Sequence, residues 1–409
     1  MKTAVALLGC GTIGTGVVSV LGKKLADSII VKRVLVKNPE KKRDHIQQVV
    51  TTDINLILND REIGIVVELM GGYEPARTYI LGCLRAKKHV VTANKAVLSK
   101  HWDELAAAAK QNGVKLLYEG AVGGCIPVIR TIKNALAADE IRAVYGILNG
   151  TTNYILTSMT KQGDSFDRAL KKAQELGFAE PDPSFDINGT DVAHKTALLA
   201  TAAFGANITP GQVYTEGIAG LSIDDLKYAR EWGYVVKLLG IARHDGSLDV
   251  RVHPVLVPKD HPLSGVDFEY NAVYIESELC GGQMLLGKGA GPLPTASAVV
   301  SNIIDILHGS DQPAKSLRRI HMKEIEKLSM EYYVRLQARD QVGVLSRISG
   351  IMAKHNISIA QAVQVGRQDT VPIVIRTHSS MEKDIQDAIS QIEGLDVVCA
   401  KPVILRVLD

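Results

Sequence analysis

Aromatic residues make up only 5% of this chain, too few for an aromatic-built core or a base-stacking platform. No uninterrupted apolar stretch approaches the roughly 18 residues that a membrane-spanning helix needs. An excess of charge is missing as well. Lys plus Arg total 47 against 44 Asp plus Glu, a formal net charge of +3, which argues against a dedicated nucleic-acid or polyanion binder. Cysteine is scarce and odd in number: Cys10, Cys83, Cys125, Cys280 and Cys399 are scattered and form no metal-like cluster. That usage favours a reducing cytoplasm. The apolar opening, Ala4 to Leu8, runs into a glycine cluster and not a small-residue cleavage site, so it reads as a first β-strand and not a signal peptide.

Glycine, by contrast, is plentiful: 36 of 409 residues, which points to tight turns and close backbone approaches. A chain of this length holds about two to four domains. The first third alternates short apolar runs (Ala4–Leu8, Val31–Val36, Ile65–Leu69, Val90–Ala93, Val114–Tyr118) with helical stretches such as Pro75–Ala86 and Trp102–Gln111. This predicts an α/β domain of the Rossmann type, a doubly wound parallel sheet, over 1–130. A central α+β domain is expected over 131–311. It has a strand at Ile141–Leu148, helices at Ser165–Leu176 and Asp191–Phe204, and strand pieces at Val250–Val252, Val255–Val257, Ala272–Glu276 and Gln283–Leu286. A helix over about 295–310 is expected to complete the first domain. Residues 312–330, rich in Lys, Arg and Glu, read as a linker. From 331 to 409 the order βαββαβ predicts a ferredoxin-like module.

Gly9-Cys10-Gly11-Thr12-Ile13-Gly14 follows the first strand and opens a helix, the context in which a glycine fingerprint binds a dinucleotide. Gly9 permits the turn, Gly11 lets backbone approach a pyrophosphate, and Gly14 lets helix and strand pack closely. The second strand ends in Lys37-Asn38-Pro39 with Lys41, Lys42 and Arg43 behind it, and no acid stands there to bind a ribose. A 2′-phosphate pairs well with such a cluster, so NADP(H) is preferred; a basic surface turn is the alternative, and NAD(H) use stays open.

Two lysines draw attention. Lys95 stands at the carboxyl end of a parallel strand, the edge where such sheets bind ligands. Lys195 and Asp191 are four apart, on one helical face, with Val192, Thr196, Leu199, Ala200 and Ala203 expected on the opposite, core-facing stripe. An exposed pair of this kind is usually a weak ion pair. Glu180, Asp182 and Asp186, however, gather acids in a proline- and glycine-pinned loop just upstream. A zwitterionic substrate needs carboxylates for its ammonium group and a lysine able to trade a proton with a hydroxyl. His194 is expected to be packed or exposed without a catalytic role.

Gly9–Gly16, Glu68–Gly72, Thr92–Ala96, Tyr118–Pro127, Gly146–Ile155, Leu176–Lys195 and Gly289–Ala298, taken in this order, resemble homoserine dehydrogenase over nearly the whole chain. The resemblance implies reversible NAD(P)-dependent interconversion of L-aspartate 4-semialdehyde and L-homoserine, a step in threonine, methionine and isoleucine biosynthesis. Lys195 then matches the proton donor, and Lys95 a lysine that meets cofactor and substrate together. Glu180 and Asp191 match the substrate-binding acids, with Asp186 and Thr151 assisting. The implied cofactor set is Gly9, Gly11, Thr12, Ile13, Gly14, Lys37, Thr92, Lys95, Gly177 and Gly291. Glu119 and the carbonyls of Val122, Gly124 and Ile126 match a sodium site. Two departures are small: Gly120 and Cys125 stand in the cation loop where residues such as Gly and Ala are commoner, and Asn302 stands where an acid is expected.

The C-terminal module resembles an ACT domain. Asp340, Gly343, Val344 and Leu345, with Asn356, would form its effector site, L-threonine would be the effector, and a homodimer or homotetramer would follow. Two rival readings carry different chemistry: a phosphorylating aspartate-semialdehyde dehydrogenase using Cys125 as nucleophile, and a non-catalytic amino-acid sensor.

Overall fold

Strands buried on both faces have no polar face to present, and the short apolar runs of the first third accordingly form a six-stranded parallel sheet. The computed structural model describes residues 2–43, 46–309, 320–364, 366 and 368–408. The strand order is Val50–Thr51, Ile29–Leu35, Thr3–Leu8, Ile63–Glu68, His89–Thr92 and Leu116–Leu117. It reverses between Thr3–Leu8 and Ile63–Glu68, the switch point of a doubly wound fold. Val50–Thr51 was not expected; two residues are too few to show a pattern. The helix expected from Trp102 already begins at Lys95, where the Asn94 side chain accepts the Val97 N–H at 3.3 Å. A non-helical His101 interrupts the periodicity between the two starts.

Contacts divide the chain into two compact units. The first comprises Met1–Leu148, Asp191–Val213 and Tyr270–Ile320. In it, helix Pro292–Leu307 lies against helix Thr12–Lys24 so closely that a Cβ on Gly16 would stand 3.1 Å from the Pro292 carbonyl oxygen. Its residues Ala296, Val299, Val300 and Ile303 share one core with Val5, Leu7, Val17 and Leu21. Strands Ile141–Ile147, Tyr270–Ser277 and Gly281–Lys288 pair antiparallel in the same unit.

The second unit comprises Asn149–Thr190, Tyr214–Glu269 and His321–Asp409. Strand Tyr234–His244 runs antiparallel to Leu248–Pro258. The first was missed because Val235 to Ala242 is almost continuously apolar, without alternation to separate strand from helix. The second replaces two expected pieces with one strand through Pro254. On its other side, Tyr214–Thr215 pairs at Arg251 and Val252, and Val398–Val407 pairs at Val255 and Leu256. Pro254 falls between these partners, where no ladder N–H is required. The terminal module follows as expected, with strand order Val398–Val407, Tyr332–Arg339, Thr370–Thr377, Ile359–Gln364. Helices Val344–Lys354 and Glu382–Glu393 close its core over Tyr332, Leu336, Ile348, Ile373 and Ile389. Within the expected linker, residues 312–319 lie outside the described residues. Among the described residues, no helix is long and apolar enough to cross a membrane.

Buried ionic groups fasten the module inside this unit. Asp225, fully buried at the start of helix Ile223–Glu231, accepts from Arg335 at 2.5 and 3.0 Å and from the Tyr333 hydroxyl at 2.9 Å. His253 is buried on Leu248–Pro258; its Nε2 accepts the Arg251 Nε–H at 3.0 Å and its Nδ1–H donates to the Pro254 carbonyl at 3.1 Å. Burial, then the positive charges of Arg406 and Arg251, hold its pKa well below the usual value of 6.5. The unfolded chain therefore binds a proton near pH 6.5 that the folded chain refuses. Stability is full above that pH and falls as pH drops, by up to about 1.4 kcal/mol per pH unit from this group. Thermal midpoints of wild type and His253→Gln at pH 7 and pH 5.5 check this: the variant, which keeps both hydrogen bonds without a titrating ring, should show the smaller loss on acidification.

Candidate active site

The glycine turn after Thr3–Leu8 is shaped by a lack of room. Gly9 has φ +94°, and a Cβ there would lie 2.8 Å from the Leu69 carbonyl oxygen. A Cβ on Gly14 would lie 2.8 Å from the Gly9 oxygen, so helix Thr12–Lys24 can start directly against the strand. Gly11, in contrast, is exposed with open space around it. The first-turn amides of Thr12, Ile13 and Gly14 have no acceptor within the helix, which makes this terminus suited to a phosphate. A cavity of about 1080 Å³ extends from Gly11 and Thr12 along the helix to Lys41, Lys42 and Arg43. Lys37 stands exposed outside its lining. The Arg43 guanidinium also ties its own loop, donating to the carbonyls of Asn38 at 3.0 Å and Lys41 at 2.8 Å.

Across the switch point, Thr92 ends its strand with its hydroxyl spent on a buried neighbour: Oγ1 donates to Glu68 at 2.6 Å and accepts the Asn94 N–H at 2.9 Å. Glu68 also accepts the Met70 N–H at 2.7 Å, and burial raises its pKa. This Glu68–Thr92–Asn94 cluster joins two strand ends and sets the start of helix Lys95–Gln111. Sequence reasoning overlooked it, although an acid closing an apolar strand was the available signal.

Lys95 is thereby placed at the first turn of that helix. Its Nζ lies 3.1 Å from Asp191 Oδ1, and Lys195 Nζ lies 2.7 Å from Asp191 Oδ2. One nearly buried carboxylate, its side chain 5% exposed, thus holds both ammonium groups. Lys195 also donates to the Leu148 carbonyl at 2.6 Å, a partner no sequence pattern reveals. The Asp191–Lys195 pairing along one helical face is as expected. The surrounding helix differs: apart from Thr190 and Lys195, Thr190–Phe204 is buried all round and not on a single stripe. His194 is packed, with Nδ1 2.7 Å from the Ser99 hydroxyl, and burial and then Lys95 lower its pKa.

The second unit holds the other proposed substrate residues. Asp186 accepts from Asn149 Nδ2 at 2.7 Å, and the single Thr151 hydroxyl proton is shared between the Phe178 carbonyl, 2.6 Å from Oγ1, and Asp186, 2.9 Å from it. Glu180 and Gly177 are exposed in the turn after helix Phe166–Glu175. In the first unit Gly291 caps helix Pro292–Leu307.

Glu119 is buried, and its carboxylate accepts the backbone N–H groups of Ile129 at 2.8 Å and Arg130 at 2.9 Å. Burial pushes its pKa up to about 7. Gly124 admits no side chain, since a Cβ would lie 2.5–2.6 Å from Gly289 and Lys288 backbone atoms. Ile126 already gives its oxygen to the Val128 N–H at 2.8 Å. Both Glu119 carboxylate oxygens are thus engaged, and Arg130 and Lys133 act on the carboxylate with positive charge. Asn302, the departure from the expected acid, is engaged with the same residue, since its Oδ1 accepts the Glu119 N–H at 2.9 Å. Cys125 is an exposed thiol that donates to the Lys288 carbonyl at 3.4 Å, in a turn and not at a helix start.

In the terminal module, Asp340 accepts from Gln364 at 3.1 Å and Gly343 caps helix Val344–Lys354. The Val344 side chain belongs to the core, and Leu345 is exposed. Asn356 adopts φ +57° just past the helix end.

Residues 9–119 match the NAD-binding domain of homoserine dehydrogenase, 127–304 the homoserine dehydrogenase domain, and 332–397 the ACT domain. The chain is 43% identical to the homoserine dehydrogenase of Synechocystis sp. over 434 aligned residues, covering all of both chains. It is 38% identical to that of Bacillus subtilis, covering 96% of this chain and 95% of the relative. The crystal structure of a homoserine dehydrogenase from Thiobacillus denitrificans superimposes with a TM-score of 0.93 at 39% identity, covering 100% of this chain and 99% of that one. The thiolate-dependent and sensor-only readings are not favoured: with its dinucleotide fold, its lysine pair and a C-terminal ACT domain, the chain belongs to the homoserine dehydrogenase family.

Proposed function

We propose that Lys195 is the proton donor and acceptor for the reversible interconversion of L-aspartate 4-semialdehyde and L-homoserine. The observation that carries this is the shared carboxylate of Asp191, which holds Lys195 and Lys95 in one cluster. The nicotinamide, when bound, supplies or takes the hydride at the carbonyl carbon. In the reducing direction Lys195 gives a proton to the aldehyde oxygen, and in the oxidising direction it takes that proton back from the hydroxyl. Lys95 adds positive charge beside the developing alkoxide, and Asp191 fixes both donors so that no reorganisation is needed during the step. Glu180 is assigned to the substrate's ammonium group, with Asp186 and Thr151 shaping that turn. Functionally, the chain divides into a nucleotide-binding domain (1–130), a catalytic domain (131–311), a linker (312–330) and a regulatory module (331–409).

Three further assignments rest on particular features. NADP(H) is preferred, since Lys41, Lys42 and Arg43 share a cavity with Gly11 and Thr12. Glu119 and the carbonyls of Val122, Gly124 and Ile126 would hold Na⁺ by oxygen ligands. An amino-acid effector, L-threonine, is assigned to the terminal module at Asp340, Gly343 and Asn356. A homodimer or homotetramer is supported by the outer strand Gly281–Lys288, which leaves Met284 and Leu286 exposed. Five free cysteines suit the cytoplasm.

Lys195→Ala should lower kcat by about 10²–10⁴-fold, the usual worth of general acid catalysis. Steady-state rates with L-homoserine measure this, and a near-normal kcat refutes the assignment. The double variant Lys41→Ala, Lys42→Ala should raise the KM for NADPH about tenfold, the loss of one charge-assisted contact, and leave that for NADH nearly unchanged. Replacing NaCl by choline chloride should lower the thermal midpoint of the wild type and leave that of Glu119→Gln unmoved.

A further inference from the structure

The C-terminal module is fastened within its unit by more than a strand pair. Val398–Val407 lies parallel to Leu248–Pro258, with Arg406 opposite Val255. Arg406 is 1% exposed and reaches in two directions. It donates to Glu382, at the first turn of helix Glu382–Glu393, from Nε at 2.8 Å and Nη2 at 2.5 Å. It donates to Glu216 from Nη1 at 2.7 Å and Nη2 at 3.0 Å, and Nη2 also meets the Tyr214 hydroxyl at 3.0 Å. A planar guanidinium gripping two carboxylates fixes their geometry as well as their charge.

Glu216 opens a segment locked to the turn that follows Asp186. Its N–H donates to the Val252 carbonyl at 2.7 Å. At Gly217 a Cβ would come within 2.1 Å of the Ile187 oxygen and 2.6 Å of Asn188 Cα. The Ile218 N–H donates to that same Ile187 oxygen at 2.9 Å. From the other side, a Cβ on Gly189 would lie 3.1 Å from the Glu216 oxygen. Residues 216–218 and 187–189 therefore meet backbone against backbone, with no side chain to absorb a displacement. The turn they grip follows directly on Asp186, which holds Asn149 and Thr151.

We propose that Glu216 is a positioning residue for the reaction: clamped by Arg406 of the terminal module, it fixes the turn at 187–189 and thereby Asp186 at its start. This rests on the assignment of the Asp186 turn to substrate binding. The last strand of the terminal module is then part of the scaffold of the Asp186 turn, and a shift of Arg406 alters substrate affinity without altering the cofactor loop.

Glu216→Gln in the full-length enzyme tests this. The KM for L-homoserine should rise about tenfold, a usual coupling between linked sites, while kcat and the KM for NADP⁺ change by less than about twofold. Amide exchange at residues 187–191 should quicken. A folded variant with unchanged homoserine KM, or one in which kcat and both KM values deteriorate together, overturns the proposal. Arg406→Lys, which keeps the charge and loses the fork, must show the same split if Glu216→Gln does not fold. Absence of homoserine oxidation by the wild type would overturn the underlying reading instead, so the two failures are distinguishable.

Discussion

One carboxylate carries the site. Asp191 is almost wholly buried, and each of its oxygens faces an ammonium group. A buried carboxylate alone would be driven toward its neutral form, and two neighbouring ammonium groups alone would repel each other. Together they leave one formal positive charge, held in place before any substrate arrives. A carbonyl reduction needs such a charge, because negative charge grows on oxygen as hydride arrives at carbon. Removing the carboxylate would leave both cations uncompensated, an arrangement that costs about 3–5 kcal/mol where a buried pair is broken. Under the proposed mechanism the constraint serves folding and chemistry at once, and it explains why a helix buried on nearly every face admits an ionic pair.

The two halves of the nucleotide edge serve this cluster differently. The glycine turn at Gly9 is set by steric exclusion against Leu69, so its shape is fixed by backbone alone. The Lys95 edge is set by hydrogen bonds, through the buried acid Glu68 and its partners Thr92 and Asn94. Steric exclusion leaves amides free for phosphate. Polar anchoring brings a side chain to a defined point. Both lie at the carboxyl ends of parallel strands, where the reversal of strand order opens a crevice.

Legibility in the sequence follows from how local each determinant is. Gly9, Gly11 and Gly14 act over six residues, and their spacing states their role. Asp191 and Lys195 share a helical face, so their pairing is readable; that Lys95 takes the second oxygen is not, because the contact spans most of a hundred residues. The module's βαββαβ order is readable from alternation, whereas strand Tyr234–His244 is hidden by its own apolarity. Partners that are backbone atoms, such as the Leu148 carbonyl, leave no signature in residue type at all. Asn302 shows the reverse difficulty: a departure in residue type looks like a defect until its bond to the Glu119 amide is seen.

The same distinction bears on how the ACT domain is joined to the rest of its unit. Arg406, Glu216 and Glu382 are far apart in the chain, and each alone reads as an ordinary surface charge. Burial of Arg406 and Glu382 turns the three into a joint, because a guanidinium taken from water tolerates few arrangements of its carboxylates. An apolar contact in this place would slide with little change in energy, since dispersion is not directional. Two bidentate carboxylates permit one geometry. The adjoining segment carries glycine at Gly217, where a Cβ would strike the Ile187 oxygen. A rigid ionic joint followed by a bare backbone contact transmits position without a side chain between to absorb it, which an apolar interface of equal area would not do.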